Sequence, residues 1–128
     1  MNYTDIISKW KEKKIDSIEK LDQQLSNFRI TFAYNSGTIE NPQITYHDTR
    51  EVFENGKVIN FCGDTQTIFE IENQKKCYNF LVPKIINKDP ITSDLIKKIH
   101  YQLMQGVYDE HRWQKGERPG HYKIHDYV

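Results

Sequence analysis

The sequence has no excess of charge of either sign, since 18 Lys and Arg residues balance 18 Asp and Glu residues in a chain of 128. A balanced charge gives no support to nucleic-acid binding, which needs a strongly basic surface. The sequence also has no apolar run long enough to span a membrane, and no charged leader followed by an apolar stretch. We therefore expect a cytoplasmic protein with neither nucleic acid nor membrane among its partners.

Cysteine is scarce, and the two residues present, Cys62 and Cys77, have neither metal-ligand spacing nor the pattern of a secreted disulfide framework. The five histidines form no helix-spaced pair of the kind that holds zinc. His121 and His125 are four apart, but the glycine and proline before them indicate a turn and a strand there. We expect a reduced protein without a metal site.

Apolar residues are also few for a domain of this length, at 37% of the sequence, although 12% aromatic residues argue against disorder. The length suits one domain with one core. We interpret the low apolar content as a sign that part of the core lies outside this chain.

Apolar residues recur at helical spacing through most of the chain, which predicts an all-α fold. Glycine and proline after Trp113 predict a turn that leads into a strand over Tyr122–Val128. The predicted helices begin and end at caps, glycines and prolines. They run from Thr4 or Asp5 to Trp10, from Asp16 to Glu40, from Tyr46 to Glu54 behind a Thr45 cap, from Asp64 or Thr65 to a kink or end at Pro83, and from Asp94 to Gln105 behind Thr92 or Ser93.

The long second helix has an apolar stripe with an unusual end. Its residues step by three or four: Ile15, Ile18, Leu21, Leu25, Phe28 and Phe32. Two further steps of four reach Ser36 and Glu40. A hydroxyl and a carboxylate on a buried face need partners, because unpaired burial is costly. Either this helix end is solvated or Glu40 points at a cation.

The segment Ser36–Asn41 resembles the inhibitory helix of Fic-domain proteins. It matches that family's pattern (Ser/Thr)-x-x-x-Glu-(Gly/Asn) at each specified position. Further segments resemble the family in the same order, and the last of them resembles its flap, a β-hairpin beside the active site. These segments are Phe32–Asn41, Ile44–Thr45 with Thr49, Glu70 with Asn73, Ile91–Thr92, Leu95–Gly106 and Lys115–Lys123.

The resemblance implies adenylylation, the transfer of AMP from ATP to a hydroxyl of a target protein. The family's catalytic loop, His-Pro-Phe-x-(Asp/Glu)-Gly-Asn-Gly-Arg, has no counterpart here. ATP and Mg²⁺ are therefore implied only for a complete Fic domain, and we expect this chain to be inactive alone. On this interpretation residues 1–42 hold the N-terminal and inhibitory helices. Residues 43–128 form the first part of a Fic core, with the flap at 113–128.

The resemblance also implies roles for individual residues. Glu40 would pair with an arginine that otherwise holds the γ-phosphate of ATP, and this arginine is expected to lie outside the chain. Ser36 would support that pairing, and Asn41 completes the motif. The flap residues would dock the target protein by strand addition: Tyr122, Lys123, Ile124 and His125.

Two other classes of function stay open. The chain could be a stand-alone regulator that inhibits a Fic partner in trans, or a helical interaction module unrelated to the family. If the chain is instead part of a Fic adenylyltransferase, its expected partners are the missing catalytic part of that domain and a target protein. Exposed apolar faces would also favour a homo-oligomer. We expect His100 to be a core histidine, and Trp10 and Trp113 to be packing residues.

Overall fold

The computed structural model of the chain describes residues 2–125. This part contains seven α-helices and no strand, so the all-α prediction is confirmed for it. None of these helices combines the length and the apolar character needed to cross a bilayer. In chain order the helices are α1 (Tyr3–Glu12), α2 (Ile18–Leu25), α3 (Phe28–Glu40), α4 (Tyr46–Asn55), α5 (Thr65–Ile86), α6 (Ser93–Leu103) and α7 (Glu110–Gln114).

The longest helix, α5, is the centre of the fold and packs against α2, α3, α4 and α6. Apolar side chains from α3, α4 and α5 and the loops beside them form two small clusters. The first contains Ile30, Ala33 and Phe53 with Tyr78, and the second contains Ile44, Val52 and Ile71 with Tyr34, Val58 and Ile68. The first cluster joins residues of the predicted 1–42 and 43–128 regions in one core.

Side-chain caps begin most of these helices, because a cap oxygen can accept a backbone N–H that the first turn leaves unpaired. The predicted caps Thr45, Asp64 and Thr92 each accept from the third residue of their helix. The first helix begins earlier than predicted. Asn2 is its cap and exchanges hydrogen bonds with Asp5 in a capping box.

The predicted single helix from Asp16 to Glu40 is wrong, because the chain breaks into α2 and α3 at Ser26 and Asn27. The Ser26 hydroxyl donates to the Gln23 carbonyl at 3.3 Å, and Arg29 Nε donates to the Ser26 carbonyl at 3.3 Å. Side chains that bond to carbonyls in this way compete with the backbone ladder and bend helices.

The break changes which residues of α3 face the core. Ile30 and Ala33 are buried, whereas Phe28 and Phe32 are 58% and 56% exposed. The two phenylalanine rings lie beside each other at a tilt of 34°, with centroids 5.6 Å apart. The apolar stripe that we predicted from the sequence is therefore not buried at Phe28 and Phe32, where it lies on the surface.

A hydrogen bond between side chains ties α2 to α5. The Tyr78 hydroxyl on α5 donates to Asp22 Oδ1 on α2 at 2.8 Å. Burial, and then this bond to a carboxylate, raise the pKa of Tyr78 to about 12. Deprotonating the phenol would put two negative charges in contact, so we regard the protonated hydroxyl as part of the packing.

Other predicted apolar faces are less buried than their pattern suggested. Pro83 does not end α5, which continues to Ile86. Proline has no N–H, so the helix lacks the hydrogen bond from residue 83 to the carbonyl of Asn79, which is an exposed residue. Ile85 is exposed, and α6 has no fully buried residue. Trp10 and Trp113 are each nearly half exposed rather than core residues.

The β-hairpin flap predicted at 113–128 is not found in the described residues. Residues 122–125 have no regular structure, and Asp126, Tyr127 and Val128 lie outside the described part. Instead the buried Glu117 accepts the backbone N–H groups of Ile124 at 2.6 Å and His125 at 3.1 Å. A single strand has no partner strand to accept its backbone N–H groups. Here the Glu117 carboxylate accepts two of them instead.

This arrangement predicts an acid-sensitive segment. Burial alone would raise the pKa of Glu117, but the backbone N–H groups of Ile124 and His125 and the His125 ring donate to the charged form, and the net effect lowers the pKa. The carboxylate then contributes stability that is complete above its unfolded pKa and is lost as the pH falls through the lower, folded pKa.

We therefore expect hydrogen exchange at the Ile124 and His125 amides to accelerate as the pH falls through that acid range, once the intrinsic pH dependence is subtracted. Glu117→Ala should show the fast exchange already at neutral pH, and Glu110→Ala at an exposed position should not. Protection that persists in Glu117→Ala would contradict this account.

Candidate functional site

A large cavity lies between the C-terminal ends of α3 and α6, the first half of α5, and α7. Its volume is about 690 Å³, which falls within the size range of small-molecule sites. We call it the cleft. Fourteen residues line it: Ser36, Gly37, Glu40, Ile44, Gln66, Glu70, Gln74, His100, Leu103, Met104, Val107, Tyr108, Asp109 and Arg112.

Two of the three predicted motif residues line the cleft. Ser36 and Glu40 lie one turn apart at the end of α3, where Glu40 is the last helical residue. Within residues 2–125 the Glu40 carboxylate has neither a hydrogen bond nor an ion pair with another side chain. The chemistry available at this wall is therefore that of a half-buried hydroxyl and an exposed, uncommitted carboxylate.

Gly37 lets the chain close behind this helix end. A Cβ placed on Gly37 would lie 2.9 Å from Cδ1 of the buried Ile44, closer than such atoms approach. Ile44 follows Pro42 and packs back onto α3. Glycine at this position therefore lets Ile44 pack here without the shift that a larger residue would impose on its side chain.

The third motif residue, Asn41, does not line the cleft and instead holds α3 to α5. Its Nδ2 donates to Thr67 Oγ1 at 3.0 Å and to Glu70 Oε2 at 2.7 Å. Its Oδ1 accepts the Gln43 backbone N–H at 3.0 Å. Asn41 therefore fixes the direction in which the last turn of α3 presents Glu40.

Asn73, which entered the sequence analysis only through the resemblance, fixes the opposite wall. Its side chain is buried on α5, and Nδ2 donates to the carbonyls of Leu103 at 3.1 Å and Gln105 at 2.7 Å. The last carbonyls of a helix have no partner within it, so this amide acts as a cap for α6. It positions Leu103 and Met104 along the cleft.

His100 is not the core histidine that we predicted, because its ring is exposed and lines the cleft. The Gly120 backbone N–H donates to His100 Nδ1 at 2.9 Å, which leaves the ring proton on Nε2. Gly120 has φ +82°, and a Cβ there would lie 3.2 Å from the Lys97 carbonyl. The hydrogen bond between Gly120 and His100 therefore joins the C-terminal segment to α6.

Sequence reasoning missed Arg112, whose guanidinium also lines the cleft. Its Nε lies 3.7 Å from Asp109 Oδ2. The charged groups around the cleft are thus three carboxylates, from Glu40, Glu70 and Asp109, and one guanidinium. The only sequence signal for Arg112 is its position after the Asp109 helix cap, a local pattern that says nothing about a distant cleft.

The predicted docking residues lie beside the cleft and not in it. Tyr122 and Lys123 line an adjoining cavity of about 290 Å³, which shares His100, Tyr108 and Arg112 with the cleft. Ile124 and Tyr122 expose two thirds of their surface. The backbone N–H groups of Ile124 and His125 are both bonded to Glu117.

The described residues contain no group of three or more His, Cys, Asp or Glu side chains arranged to hold a metal ion. Compared with protein-family models, with curated proteins and with solved structures, the chain matches none of them. The Fic resemblance therefore rests on the residues quoted above, and it stays a prediction.

Proposed function

We propose that this chain is the N-terminal autoinhibitory and target-docking portion of a Fic-type protein adenylyltransferase. In this proposal a catalytic segment outside the chain completes the cleft, binds ATP with Mg²⁺ and transfers AMP to a hydroxyl of a target protein. The chain alone is inactive, and it contributes the inhibitory helix and one side of the nucleotide site.

The observation that supports this proposal most is the position of Ser36 and Glu40. Both residues of the six-residue pattern that would face a nucleotide lie on the wall of the cleft. The four-residue spacing of the pattern puts them one turn apart on α3, and Asn41 anchors that turn to α5. A carboxylate in this position can take a guanidinium in a charge-assisted, geometrically demanding bond.

The charges of the cleft agree with inactivity of the chain alone. An anionic triphosphate would meet the carboxylates of Glu40, Glu70 and Asp109 and only the guanidinium of Arg112. Favourable binding of ATP therefore needs further cations, which the proposal assigns to the catalytic segment. When that segment's arginine pairs with Glu40, it is withheld from the γ-phosphate.

Target docking is proposed for the exposed segment Tyr122–His125. Strand addition needs free backbone donors, and two of these donors are held by Glu117. A docking peptide must therefore displace the Glu117 carboxylate to reach these two donors.

The experiment is performed in the longer protein that carries the catalytic loop. We expect Glu40→Gly to raise autoadenylylation by about 10- to 100-fold, the value of one lost charge-assisted hydrogen bond. Glu40→Gln, which keeps the shape and removes the charge, should raise it in the same direction. Incorporation of labelled AMP from ATP measures both.

The matched control is Glu54→Gly, because Glu54 is also an exposed glutamate near a helix end and does not line the cleft. It should leave autoadenylylation unchanged. Unchanged activity in both Glu40 variants, with an unaltered circular dichroism spectrum, would refute the proposal. A coding sequence that continues past Val128 without a catalytic loop would refute it as well.

A further inference from the structure

A second concave surface lies between α1 and the C-terminal end of α5, and it shares no lining residue with the cleft. Its volume is about 510 Å³. Ile7 and Trp10 of α1 form one wall, and Leu21, Ile85 and Ile86 form the other. Both walls are apolar.

These two walls do not close on each other. No Cα of α1 lies within 8 Å of a Cα in another helix of the described chain, and α1 has no fully buried residue. Ile7, Trp10 and Ile85 are all about half exposed. Protein interiors are close-packed, so two apolar walls held apart leave room for a further apolar body.

The rim of this groove carries charge of one sign. Three lysines line it, Lys11, Lys14 and Lys88, and no carboxylate does. On the helical wheel of α1, Asp5 and Glu12 fall on the side opposite Ile7 and Trp10. We call this surface the lysine-rimmed groove.

Two of the rim lysines hold a backbone conformation that lysine disfavours. Lys14 has φ 49° and Lys88 has φ 56°, in the left-handed region where glycine or asparagine is the usual residue. Lysine at both positions keeps a positive charge at the rim where glycine would be less strained.

We propose that the lysine-rimmed groove binds an acidic amphipathic helical segment of another protein. Ile7 and Trp10 are three residues apart, about 4.5 Å along the helix axis. That length matches two apolar side chains one turn apart on the bound segment, and carboxylates on its flanks would meet the lysines. This inference does not depend on the proposed adenylylation.

Two other occupants fit the groove less well. A second copy of this chain, related by a two-fold axis, would set the three lysines of one groove against those of the other. A flat anionic membrane would reach the outer side of α1 but not the wall formed by Leu21, Ile85 and Ile86.

The test uses the full chain with Trp113→Phe, which leaves Trp10 as its only tryptophan. The probe is a synthetic helical peptide of about four turns with leucines on one face and glutamates on both flanks. We expect saturable binding that shifts the Trp10 emission to shorter wavelength. The same peptide with lysine in place of glutamate should bind at least about tenfold more weakly.

A pair of substitutions tests the rim. Lys14→Glu with Lys88→Glu should weaken binding of the acidic peptide about tenfold. The matched control is Lys57→Glu with Lys76→Glu, which changes the net charge equally at exposed positions outside the groove. It should change the affinity by less than about twofold.

Several outcomes overturn the proposal. If the two peptides bound with equal affinity, or if the control pair of substitutions lost as much affinity as the rim pair, the rim lysines would not contribute to recognition. An emission shift with phosphatidylserine vesicles and none with the acidic peptide would assign the surface to a membrane. A Trp10 shift that follows protein concentration and sedimentation as a dimer would assign it to a second copy.

Discussion

Asn73→Ala is expected to lower the free energy of unfolding by about 2–4 kcal/mol. The side chain is 2% exposed, and its amide donates to the carbonyls of Leu103 and Gln105. Alanine removes two hydrogen bonds and leaves both carbonyls at the end of α6 without their donor. Burial of such groups costs more than the bonds themselves contribute. Urea denaturation followed by circular dichroism measures the loss.

The controls for Asn73 separate hydrogen bonding from volume. Asn73→Asp keeps the shape but presents an acceptor to two carbonyls, so we expect it to be at least as destabilising as alanine. Asn79→Ala, on an exposed turn of the same helix, should cost less than about 0.5 kcal/mol. If Asn73→Ala and Asn79→Ala were equally mild, α6 would not depend on this cap.

Ile71→Ala is expected to cost about 2–5 kcal/mol, the largest effect of any single substitution that we propose. Ile71 is 1% exposed and lies in the second cluster with Ile44 and Val52. Truncation removes buried methyl and methylene groups and leaves a cavity among helices that pack on α5. The same urea denaturation measures this loss of unfolding free energy. The slope of the unfolding free energy against urea concentration should not change.

The matched control for this core position is Ile59→Ala. Ile59 is 76% exposed in the loop between α4 and α5, so its truncation should lie within about 0.5 kcal/mol of zero. A loss at Ile71 no larger than at Ile59 would show that the second cluster does not stabilise the fold. It would also remove the reason for Gly37, which makes room for Ile44 in that cluster.

The helices that sequence predicted best are those whose ends are set by neighbouring residues. Thr45, Asp64 and Thr92 cap their helices through bonds that reach three residues along the chain. Gly56 ends α4 with φ +79°, as expected of a glycine that follows the predicted end of that helix. Such signals need no knowledge of the rest of the fold.

The errors have a common physical cause, since each concerns a contact between distant residues or a competition that periodicity does not register. The break at Ser26 depends on side chains that take backbone carbonyls, and it turns Phe28 and Phe32 to the surface. His100 lies at the cleft rather than in the core, and the hydrogen bond that its ring accepts comes from Gly120, twenty positions later in the chain.

The candidate site shows the same division. Local spacing placed Ser36 and Glu40 on one helical face, and the resemblance supplied a reason to examine them. Periodicity could not show that Asn41 bonds to Glu70, that Asn73 caps α6, or that Arg112 lines the same cleft. Those facts join residues about 30 or more positions apart in the chain.

By itself, the order of amino acids determined that this protein is helical, where three of its helices begin, and that a hydroxyl and a carboxylate share the last turn of α3. Those properties follow from bonds between residues within one turn of each other. Only the tertiary structure decided which faces are buried, which side chains meet at the cleft, and that α1 stands apart from α5 beside a rim of lysines. These depend on the packing of helices against α5, where contacts between distant segments decide which arrangement is stable.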